Sequence, residues 1–208
     1  MNDRLSALER DIGFLKALAV EGRPTTLIGG SILIAAGAIF GLASLGQWIA
    51  LSGFIPIYSG WTLMAIWVAS MAAFMVALVI LIRRLGPQKA GDTANRAVGV
   101  AWSAAGATIF TLFVCAYVIA WRTHSDGPLM MLPCVVLGIY GLCWSVAASM
   151  TRVAWIRAAA IGSYVAAVAA AALCDQVVMY LLFAAALVLL AILPGLVLVL
   201  VRQARAAA

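Results

Sequence analysis

The sequence predicts an all-α integral membrane protein: six transmembrane helices paired as three antiparallel hairpins, preceded by a short amphipathic cytoplasmic helix. Three observations carry that expectation. Hydrophobic residues make up 66% of the chain and charged ones 10%, with a mean hydropathy of +1.14, outside the range of soluble domains. The apolar residues fall in blocks longer than about eighteen, the length that separates a membrane span from a buried core helix. The basic residues gather in the segments between alternate blocks, as they do where a chain crosses a bilayer repeatedly.

The blocks cover residues 27–51, 57–82, 97–121, 128–150, 158–174 and 177–201. Each can cross roughly 30 Å of hydrocarbon at about 1.5 Å per residue, the fifth with least to spare. Residues 1–26 then form a cytoplasmic helix and linker, and residues 27–208 a transmembrane domain. No soluble second domain fits in what is left.

The stretch from Arg83 to Arg96 fixes the orientation. It holds Arg83, Arg84, Lys89 and Arg96 against the single acid Asp92. With that loop in the cytoplasm, Arg4, Arg10, Lys16, Arg23, Arg152, Arg157, Arg202 and Arg205 join it, and only Arg122 lies outside. Both termini are then cytoplasmic. The net charge of +6 is on this reading a topology signal, and nucleic acid is not an expected partner.

Within residues 1–26, acids and bases alternate and no small-residue cleavage site follows, so the segment does not read as a secretory signal. Leu5, Leu8, Ile12 and Leu15 recur at spacings of three and four, with Ala19 extending the stripe. Gly22 and Pro24 end this helix. The stripe either lies on the inner leaflet or pairs with a copy of itself or a soluble partner. Anionic lipid is the weaker fit, because the segment has no net charge.

Span one carries Gly37 and Gly41, small residues four apart that let helix backbones approach. Ordinary packing inside the bundle is the first reading of that pair, and a homodimer seam the alternative. Gln47-Trp48 near the outer end reads as an interfacial anchor. In span two, Met64, Met71 and Met75 share a face. With no Cys or His beside them they read as flexible packing and not as a soft-metal site. Spans one and three share a short echo, Ala-Ala-Gly-Ala, compatible with a repeated two-helix unit.

His124 beside Asp126 in the external loop offers too few ligands for a metal. Cys115, Cys134, Cys143 and Cys174 form no Cys-x-x-Cys pair and read as buried free thiols. Eleven of the fifteen residues from 158 to 172 are Ala, Gly or Ser, a slender helix expected at the bundle centre. Asp175-Gln176 makes a tight turn into span six, where Pro194-Gly195 predicts a kink and a candidate hinge.

No Asp, Glu, Lys, Arg or His lies deep in any block, which argues against proton-coupled transport. No haem-ligating histidine pair, zinc-binding His-Glu-x-x-His or phosphate-binding glycine loop occurs either, so no cofactor, metal or catalytic residue is assigned. The segment Phe14-Leu15 through Gly22-Arg23-Pro24 to Gly29-Gly30 resembles small bacterial membrane proteins of unknown function, which implies a bacterial inner membrane and no particular activity. The functional expectation is a non-enzymatic multi-pass protein. Its N-terminal stripe would dock a second copy or a cytoplasmic protein, with the lipid bilayer as its constant partner. The alternative is a small channel or facilitative carrier for a neutral or apolar solute.

Overall fold

A computed structural model describes residues 27, 29–54, 60–85 and 93–207. All the regular structure among them is helical: α1 Gly30–Leu51, α2 Gly60–Leu85, α3 Thr93–Thr123, α4 Gly127–Met130, α5 Leu132–Thr151, α6 Ala154–Ala172, α7 Val178–Leu187, a π-helical turn Val188–Ile192, and α8 Leu193–Ala207. Among the described residues six helical runs are long and apolar enough to cross a membrane: Gly30–Leu51, Thr62–Arg84, Thr93–Thr123, Gly127–Thr151, Ala154–Ala172 and Val178–Ala204. The chain has the build of a multi-pass membrane protein.

The helices outrun the apolar blocks where charged residues flank them. α3 begins at Thr93, so Arg96 sits in its first turn, and α6 begins at Ala154, so Arg157 does too. A charge near a helix end costs little, because a long basic side chain reaches the interface along its own alkyl stem. Span four is not one unbroken helix. Pro133 at the start of α5 lacks an N–H and crowds the preceding turn, and the run divides at Met131.

Loop geometry follows the sequence closely. Ser52 caps α1 through its N–H on the Trp48 carbonyl, and Gly53 at φ 75° turns the chain away. α5 ends on Arg152, left-handed at φ 57°, with its N–H 2.8 Å from the Ala148 carbonyl. Asp175, at φ 70°, makes the turn after α6, where the Gln176 N–H reaches the Leu173 carbonyl at 3.0 Å.

α1 packs against α2 on one side and along the whole last span on the other. α5 packs against α3 and, most extensively of all, against α6. The contacts between α6 and the last span are thin by comparison, so the largest interfaces extend beyond the three sequential hairpins expected from the sequence. Span five is accordingly not the centre of the bundle. Its small residues bring it close to one neighbour, α5, while Ile161, Val165 and Val168 along one side are 58%, 62% and 71% exposed. The enclosed core is shared by α5, the last span and one side of α6, with Leu137, Trp144, Ala147, Ile156, Ala170, Met179, Leu187 and Ala191 almost wholly buried.

Candidate functional site

Three groups of close contacts lock the spans together, and clefts open beside them, two of which are lined by polar side chains. The first group is glycine-based. A Cβ on Gly30 would fall 2.6 Å from the Gly195 carbonyl oxygen, and one on Gly195 would fall 2.7 Å from the Gly30 carbonyl oxygen. Two backbones therefore cross at the closest approach that glycine allows. Further along, a Cβ on Gly37 would meet the Ile192 side chain at 2.7 Å, so Gly37 seats the π-helical turn of the last span. Gly41 is buried, yet a Cβ there would meet nothing within 4 Å. The two glycines of the Gly-x-x-x-Gly pair thus have different surroundings within one chain.

The second group is polar. The Ser44 hydroxyl donates to the Tyr180 carbonyl at 2.7 Å, joining α1 to α7. The Trp144 indole N–H donates to the Leu190 carbonyl at 3.0 Å, joining α5 to the π-helical turn. Leu190 lies four residues before Pro194, whose missing N–H would otherwise take that carbonyl. Trp144 thus supplies from a neighbouring helix the donor that the proline removes. The candidate hinge residues Pro194 and Gly195 are held from two sides, by this indole through Leu190 and by Gly30.

The third group is aromatic. Trp102 meets Tyr140 at 5.0 Å and Trp144 at 5.6 Å between ring centroids, and Trp144 meets Trp155 at 6.2 Å, all edge-on. The cluster ties α3, α5 and α6 together. Of the four cysteines only Cys143 is buried, its thiol 3.7 Å from the Ala101 carbonyl; Cys115 is exposed and Cys134 and Cys174 are half-buried. The expectation of buried thiols holds for that one residue. All four are free.

Gln47 departs from its expected role. It is 6% exposed, facing the interior and not the membrane surface, and its amide oxygen has no hydrogen-bond partner. A buried acceptor left unpaired costs on the order of 1–3 kcal/mol. Gln47→Leu is therefore expected to raise the unfolding free energy by about 1 kcal/mol, read from thermal or denaturant unfolding of the detergent-solubilised protein. A fall in stability would count against an unpaired oxygen.

The larger cleft, about 290 Å³, lies between α1 and α8 and is lined by Leu27, Gly30, Ser31, Leu198, Val199, Arg202 and Gln203. The second, about 220 Å³, lies between α5 and α6 and is lined by Ser145, Ser149, Arg157, Ala160, Ile161 and Tyr164. Here the Tyr164 ring lies flat over Gly141, where a Cβ would come within 2.6 Å of it. The Ser145 hydroxyl donates to the Gly141 carbonyl at 2.7 Å and the Ser149 hydroxyl to the Ser145 carbonyl at 2.9 Å. The Tyr164 hydroxyl stands 3.4 Å from the Ser145 oxygen, long for an O–H···O bond.

The stripe Leu5, Leu8, Ile12 and Leu15 lies outside the described residues. Among the described residues no three His, Cys, Asp or Glu side chains come together as a metal site. The two clefts, the Trp144–Leu190 bond and the Gly30–Gly195 crossing were missed in the sequence reading. Only the last had a signal there, the glycines themselves. Comparison with protein-family models, with curated proteins and with solved structures gives no match.

Proposed function

We propose that this is a non-enzymatic multi-pass protein of a bacterial inner membrane, with both termini in the cytoplasm and its spans laid out as antiparallel hairpins. Its cytoplasmic stripe of Leu5, Leu8, Ile12 and Leu15 docks a second copy or a soluble partner. The observation that carries this reading is the state of the bundle interior. Of the buried polar groups, Ser44, Trp144 and Ser163 are each engaged in hydrogen bonds that build the fold, Ser163 on the Ala159 carbonyl at 2.8 Å, and the Gln47 amide oxygen is the single buried side-chain atom left unpaired among the described residues. The largest fully buried side chains are otherwise apolar, led by Trp144, Leu137 and Ile156. Such an interior supports a scaffold better than a solute path, which needs polar groups left free to bind and release.

The test compares the mass of the complex, gently extracted from native membranes, with and without residues 1–22. Extra mass on the full chain that vanishes on truncation is the expected result, and it identifies the partner. Equal masses would remove docking as the role of this segment.

A second reading, a facilitative carrier for a neutral or apolar solute, is favoured by one feature. A π-helical turn ends at Ile192, two residues before Pro194, and both are places where helices bend. Solute flux in vesicles that survives deletion of residues 1–22 is the result that would favour it.

A further inference from the structure

We infer that the cleft between α5 and α6 binds an anionic phospholipid, with Arg157 on the lipid phosphate and the acyl chain lying along the exposed face of α6. Arg157 lines the cleft, is exposed, and forms no ion pair with any described residue. The described acids lie far away. Asp175 follows the opposite end of α6, which lies about 22 Å along the helix from Arg157, and Asp126 precedes the span-four run that ends beside Arg157. A guanidinium at a membrane boundary, with no carboxylate beside it among the described residues, is a ready partner for phosphate, which it grips through two parallel N–H bonds.

The rest of the cleft matches the rest of a phospholipid. Tyr164 lies seven residues beyond Arg157, two turns or about 10 Å deeper along α6. Its hydroxyl, held only loosely by Ser145, is placed for the ester oxygens between headgroup and chain. Ile161, between Arg157 and Tyr164, begins an apolar wall that Val165 and Val168 continue beyond the tyrosine along one side of α6, at spacings of four and three and largely exposed. A charged end, a polar middle and an apolar length are the order of groups in a phospholipid. A free phosphate would use only the first. The Ser145 and Ser149 protons are already engaged on backbone carbonyls, so the charge of Arg157 sets the preference for an anionic headgroup.

The purified, delipidated protein should be given phosphatidylglycerol or phosphatidylcholine in detergent, and the lipid retained measured by native mass spectrometry. The unaltered protein is expected to retain phosphatidylglycerol over phosphatidylcholine. Arg157→Gln should cut the phosphatidylglycerol retained by about fivefold, the effect of one surface charge, and leave phosphatidylcholine unchanged. Ser149→Glu is a second, exposed substitution that sets a carboxylate against Arg157, and it should have the same effect while leaving the arginine in place. Arg202→Gln, in the other cleft, should change retention little. Equal retention by the unaltered protein and both cleft variants would overturn the inference, as would an equal loss from Arg202→Gln. Inorganic phosphate that displaces the lipid at millimolar concentration would overturn the lipid assignment in favour of a free-anion site.

Discussion

Gly195→Val is expected to destabilise the protein by about 3 kcal/mol or more, the upper end of the cost of overpacking a tight interface. The first added atom already collides: it would lie 2.7 Å from the Gly30 carbonyl oxygen, 2.8 Å from the Ile34 side chain and 3.2 Å from the Ile34 backbone nitrogen. Two of those three neighbours are backbone, so no rotamer change relieves the contact. α1 and α8 must part, and their separation loosens the Leu198 and Val199 contacts on Gly30 as well. Helix propensity pulls the other way by only a few tenths of a kcal/mol, since valine is a better helix former than glycine. Unfolding of the detergent-solubilised variant measures the balance. Gly41→Ala is the natural control. With nothing within 4 Å of its Cβ position, alanine there should be neutral or stabilising by up to about 1 kcal/mol in an isolated chain. A loss of dimer in membranes from Gly41→Ala, with the monomer intact, would mean that this glycine meets a second copy.

That contrast also shows what the sequence could and could not disclose. The six apolar runs are legible because hydrophobic length is a one-dimensional property, and their ends differ from the helices by a few residues, the helices reaching outward where charged residues ride on them, as Arg96 and Arg157 do. Gly37 and Gly41 look alike in the sequence, because spacing says that a backbone is accessible and not which neighbour reaches it. Burial misled in the same way. The Ala-rich fifth span was expected at the centre, yet slenderness on one side says nothing about the other, where Ile161, Val165 and Val168 face outward. The place of Gln47 near the end of a span suggests an anchor, and only the rotation of α1 against its neighbours puts it inside. The cleft around Arg157 depends on which turn of α5 faces which turn of α6, a register set by the seating of Tyr164 on Gly141.

Trp144→Phe is expected to cost about 1–3 kcal/mol, and the cost should shrink when Pro194 is replaced by alanine. The indole N–H is the side-chain donor on the Leu190 carbonyl, and Trp144 itself is fully buried. Phenylalanine keeps much of the edge-on contact with Trp102 and Trp155 but leaves that carbonyl short of a partner in a place water does not reach. Alanine at 194 restores a backbone N–H four residues after Leu190, where an uninterrupted α-helix would use it. In that background the indole is no longer needed for the same carbonyl. A double-mutant cycle on Trp144→Phe and Pro194→Ala should therefore return a coupling of about 1 kcal/mol, with the second substitution rescuing part of the first. Costs that simply add would mean that the proline and the indole act independently and that the π-helical turn is stable without the bond. Coupling would identify Trp144 as the group that lets a proline sit inside the last span. The bend at Pro194 would then be held by a specific partner on α5, and any motion of the last span would have to break the Trp144–Leu190 bond first.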